Sequence, residues 1–75
     1  MSLRERLARA LIMASKDGVF TLDAIKAASG VGDSLVNDFI NSLINEGVLV
    51  RVGDGYRSTM PPHRLIRYFM GKGVN

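Results

Sequence analysis

A chain of 75 residues is sized for one domain with a small core, since it buries only about 60% of the surface its unfolded form exposes. With 47% hydrophobic and 23% charged residues and no low-complexity run, it reads as globular, which excludes a disordered chain. The absence of cysteine excludes disulfides and thiolate metal sites, and a net charge of +3 with a pI near 9.8 favours polyanionic partners.

The longest apolar run, Ala10 to Ala14, is far too short to span a membrane. The arginines before it and Lys16-Asp17 after it do not make a secretory leader, so a cytoplasmic protein is expected. Leu3, Leu7, Ala10, Leu11 and Ala14 recur at helical spacing and predict a first helix from Ser2, ended by Asp17-Gly18. Glu5 and Arg9 stand four apart in the favourable order on its polar side. Ile12 and Met13 fall off the stripe; either a later segment covers them or they join a subunit interface.

Val19-Phe20 is a brief extended stretch able to pair with the edge of a later hairpin. Thr21 suits the N-cap of a short second helix, with Leu22, Ile25 and Ala28 expected on its buried side. Ser29-Gly30 closes that helix, and Val31 is expected to plug the core between it and the next. Either Gly32 or Asp33 caps the third helix.

The third helix is predicted from Ser34 to Glu46, with an apolar stripe of Val36, Ile40, Leu43 and Ile44. Its opposite face carries Ser34, Asn37, Asp38, Asn41, Ser42 and Asn45. Gly47 stops it. Val48, Val50 and Val52 then alternate with Leu49 and Arg51 as a strand, Gly53-Asp54-Gly55 is expected as a three-residue turn, and Tyr56-Arg57-Ser58 returns. If Val52 pairs with Tyr56, Arg51 lies opposite Arg57. Such a like-charge pair is unfavourable unless an anion sits between the two or they splay into solvent.

Pro61-Pro62 cannot extend a sheet, but proline suits the first turn of a helix. A fourth helix is therefore predicted over about residues 62–70, with Leu65, Ile66 and Phe69 on one side and His63, Arg64 and Arg67 on another. Gly71 and Gly73 are expected to end it.

From about Leu3 to Ser58 this order resembles the winged helix-turn-helix domains of small bacterial and archaeal regulators. The resemblance rests on Leu22 and Ile25, the Gly30-Val31 turn, Val36, Ile40 and Leu43, and Glu46-Gly47-Val48 leading into the hairpin. It implies a mainly α fold with a small β-hairpin: a three-helix core, a two-stranded wing over about 48–58 and an extra C-terminal helix, in a single domain over 1–75. In that family the third helix enters the major groove while the wing and helix ends hold phosphates. Carried over, Ser34, Asn37, Asp38 and Asn41 would face bases, and Arg51, Arg57 and Lys26 would contact phosphates. Asparagine can bond adenine through two hydrogen bonds, which suits Asn37 and Asn41. The winged helices that read left-handed nucleic acid also carry paired prolines, but Asn41 stands at their tyrosine position and His63-Arg64 where they place an aromatic. That match is rejected.

The expected function is binding of double-stranded DNA, sequence-specific or general, as a transcriptional regulator. Charge keeps an alternative open. Gly30 to Gly47 holds Asp33, Asp38 and Glu46 and no lysine or arginine, so the third helix could instead meet a protein partner in a larger complex. Surplus apolar residues at Ile12, Met13, Tyr68 and Met70 suggest a homodimer. Enzymatic activity, a metal and a cofactor are not expected: His63 is the only histidine, and the acidic residues lack metal-ligand spacing. Tyr56 and Tyr68 are expected to pack rather than stack on bases.

Overall fold

A computed structural model describes residues 2–74, with side chains through Gly71. The elements run α1 (Leu3–Ser15), α2 (Leu22–Ser29), α3 (Asp33–Asn45), β1 (Leu49–Val52), β2 (Gly55–Ser58) and α4 (Pro62–Val74). The fold is thus mainly helical with a two-stranded antiparallel hairpin, an arrangement consistent with a winged helix. Among the described residues no helix is long and apolar enough to cross a membrane.

Local chemistry sets the helix ends. The Ser2 and Thr21 hydroxyl oxygens accept the backbone N–H groups of Glu5 and Ala24, at 3.2 Å each. Gly32, not Asp33, is the N-cap of α3, and Asp33 becomes its first residue. Gly30 ends α2 in the left-handed region at φ 70°, where the Arg6 guanidinium also lies 2.9 Å from any added Cβ. α4 begins on Pro62, whose missing N–H costs nothing there. It does not stop at Gly71, because a helical glycine costs only about 1 kcal/mol and no proline follows.

One core joins all four helices to the hairpin: Leu7, Leu11, Ile25, Ile40, Leu49 and Leu65 are buried together with Val31, Val36, Leu43 and Val48. Phe39 belongs to it as well, though the expected stripe omitted it. Its spacing from Val36 and Leu43 is helical, and its ring stacks on Phe69 at 6.0 Å. Ala28 is exposed, and Ser29 takes the buried place on α2. Polar Ser29 is tolerated there because its hydroxyl accepts the Val31 N–H (3.2 Å) and its carbonyl accepts from Arg6 Nη2 (2.8 Å). Ile12 packs half-buried on the core, whereas Met13 stays exposed.

The hairpin register differs from expectation by one residue. Arg51 pairs with Tyr56, Val50 with Arg57 and Val52 with Gly55, leaving a two-residue turn of Gly53-Asp54. Gly55 is a strand residue because Phe20 bridges Tyr56 through both backbone hydrogen bonds (2.9 and 2.7 Å). A Cβ on Gly55 would stand 2.6 Å from the Phe20 carbonyl oxygen, so that glycine serves the close approach of Val19-Phe20 and not the turn. Pairing of this stretch with the hairpin edge is as expected. The slip has a larger consequence: one residue of register exchanges the faces, so Arg51 and Arg57 project from opposite sides of the hairpin. The expected period of two also fails at its start, where Val48 and Leu49 are both buried and Val50 is exposed.

Candidate nucleic-acid interface

The buried stripe of α3 fixes which residues it shows outward. Ser34, Asn37, Asp38, Asn41, Ser42 and Asn45 are all exposed. Ser42 donates its hydroxyl to the Phe39 carbonyl at 2.8 Å. Among the described residues, the side chains of Ser34, Asn37, Asp38 and Asn41 make no hydrogen bond or ion pair within the chain. Asn37 and Asn41 lie one turn apart, about 6 Å along the axis. Their amides keep every donor and acceptor for an outside partner.

Two cations are held at the turn between α2 and α3. The Lys26 ammonium pairs with the Asp33 carboxylate and with Asp23 at 3.7 Å. Its hydrogen bond to Asp33, together with the charges of both acids and a hydrogen bond to Asp23, outweighs desolvation and raises its pKa above the ordinary 10.5. Lys26 is therefore charged at neutral pH but already matched by acids. Arg6 reaches from α1 to the last turn of α2, where it binds the Ser29 carbonyl. Nothing in the α1 sequence signals that role, which depends on how two helices cross.

On the hairpin, the Arg51 guanidinium lies over the Tyr56 ring at 5.6 Å, and that ring meets Phe20 at 6.2 Å. Tyr56 is a packing residue, as expected. Arg57 stands on the other face beside exposed Val50. No single phosphate can sit between two guanidiniums so placed. The structure thus gathers the expected α3 residues on one surface, separates the two wing arginines, and seats Lys26 on acids. Sequence reasoning also passed over Leu35, 48% exposed on α3, and Arg4, which lies 5.9 Å over Phe69.

A second surface feature is an apolar groove of about 720 Å³ between α1 and α4. Ile12 and Phe69 line it with Met13, Ile66 and Met70, and Glu5 and Arg9 contribute charge. Tyr68 is not part of that lining; it packs edge-on against Phe69 with centroids 5.3 Å apart. Among the described residues, no group of three His, Cys, Asp or Glu side chains could hold a metal ion. No protein-family model, curated protein or solved structure matches the chain.

Proposed function

We propose that the chain is a winged helix-turn-helix protein that binds double-stranded DNA and acts as a cytoplasmic transcriptional regulator. The outer face of α3 supports this reading: four exposed polar side chains, unengaged by any other described residue, stand on a helix locked by its buried stripe. Asn37 and Asn41 approach base edges, with Ser34 and Asp38 beside them; a carboxylate can accept from the cytosine amino group. Arg51 and Arg57 each address a separate phosphate from their own side of the wing. Lys26 contributes least, since a phosphate must compete with Asp33.

In this reading the protein is a homodimer, with a second copy seated on the α1–α4 groove. The charges lining the groove are one acid and one base, Glu5 and Arg9, which a twofold operation can set against each other across the interface. Met13 and Met70, 66% and 65% exposed, supply the apolar contact. Sedimentation at micromolar concentration is expected to show a dimer, and Met13→Glu with Met70→Glu a monomer. A parent that sediments only as monomer ends the dimer.

A gel shift with mixed-sequence duplex tests the DNA reading. Retention at low salt that weakens steeply at moderate salt supports it; no retention at low salt overturns it. One observation favours a second reading as a protein-contact module. Residues 30–47 carry three acids and no lysine or arginine, and the neighbouring Lys26 is neutralised. That reading expects no duplex binding and a partner complex disrupted by Asp38→Arg.

A further inference from the structure

We infer that the outer face of α4 is a binding surface for the DNA backbone phosphates, an inference that rests on the DNA-binding reading. Charge is sharply divided along the chain. From Gly55 to Asn75 the sequence has no acidic residue and carries Arg57, His63, Arg64, Arg67 and Lys72, whereas the charged residues of 30–47 are all acidic. DNA affinity rests largely on neutralised phosphates, and α3 cannot supply that neutralisation.

The basic residues that could do so are not equally available. Lys26 is matched by Asp33 and Asp23, Arg6 is bound to the Ser29 carbonyl, and Arg51 lies on the Tyr56 ring. Arg64 and Arg67 differ from all of these. Helical spacing sets them with His63 opposite fully buried Leu65, and all three are exposed. Neither arginine makes a side-chain hydrogen bond or ion pair with another described residue. Their guanidinium forks keep all their donors, in a geometry that matches phosphate oxygens.

Position reinforces charge. His63 and Arg64 lie in the first turn of α4, the end of a helix that favours anions. Because Phe39 of α3 stacks on Phe69 of α4, a phosphate held by α4 is held by the body that aims Asn37 and Asn41. Of the apolar residues of α4, Leu65 is buried in the core and Phe69 packs half-buried against it, while Ile66 and Met70 are exposed along the α1–α4 groove. An acidic protein surface would find the same guanidiniums, with exposed Ile66 and Met70 beside them, so binding of an acidic polypeptide is made an outcome of the test.

The test is fluorescence anisotropy with a short mixed-sequence duplex over a range of salt, and separately with labelled polyglutamate, comparing the parent with Arg64→Gln/Arg67→Gln. The plot of log affinity against log salt is expected to become shallower by roughly two, at about 0.9 per lost phosphate contact, for preferred and scrambled duplexes alike. Arg64→Lys/Arg67→Lys is expected to recover most of that slope, which separates charge from an effect on folding. If the parent binds duplex and the glutamine variant keeps its slope, α4 is not the surface although DNA binding stands. A parent that binds no duplex at low salt overturns both. A loss confined to polyglutamate, with duplex binding intact, assigns the stripe to acidic protein and overturns the inference.

Discussion

α3 and α4 each run thirteen residues, each turns an apolar face to the same core, and they meet where Phe39 stacks on Phe69. Outward they differ. α3 shows short amides, hydroxyls and Asp38 with no base, and α4 shows His63, Arg64 and Arg67 with no acid. Inner faces resemble one another because burial rewards the same residue types everywhere. Outer faces diverge because each is free to match what it meets, so the functional information lies in what the core does not constrain.

The comparison holds only if both helices belong to one cooperative body. Ile40 on α3 and Leu65 on α4 are 1% and 0% exposed. Ile40→Ala and Leu65→Ala are each expected to cost about 2–5 kcal/mol in urea unfolding, enough to unfold much of a domain this small. A cost below about 1 kcal/mol for Leu65→Ala would make α4 an appendage, and its charge would say little about the surface of α3.

Most of the framework was legible in the sequence, because helical periodicity and caps are local. Thr21, Gly30, Val31 and the stripe through Val36, Ile40 and Leu43 could be read directly. The hairpin was legible but its register was not. Gly53-Asp54-Gly55 permits either a two- or a three-residue turn, and the deciding contact is the Phe20 carbonyl against Gly55, far away along the chain. That single contact moved Arg57 to the face away from Arg51. The polar face of α3 was legible too, since it is what remains once the stripe is assigned. The availability of each cation was not, because Arg6 meeting Ser29 and Lys26 meeting Asp33 depend on how helices are set against one another.

The outer faces should respond differently to substitution. Asn41→Ala removes a candidate base contact, so it should cost about 1–3 kcal/mol on a preferred duplex and almost nothing on a scrambled one. Loss of Arg64 and Arg67 should instead be blind to sequence. The measurement is a pair of titrations per variant at one salt concentration. An equal loss on both duplexes for Asn41→Ala would move α3 into the same class as α4 and remove the contrast between reading and holding.

The smallest expected effect comes from the seam between acidic and basic chemistry, where Lys26 meets Asp33. A folded-state lysine pKa above its ordinary value means the pairing adds stability below pH 10.5, and loses it only as pH rises through the raised value. Across the neutral range the pair is therefore intact, and Lys26 is matched within the chain. Asp33→Asn removes its main partner and one of the three acids of residues 30–47, while Asp23 still holds the ammonium weakly. Duplex binding should tighten severalfold, and the salt slope should steepen by at most about 0.9, the value of one phosphate contact. Stability should fall slightly, since an acid in the first turn of α3 favours the helix. If affinity and slope stay at parental values, Lys26 does not face DNA even when released, and the phosphate contacts belong to the wing and α4 alone.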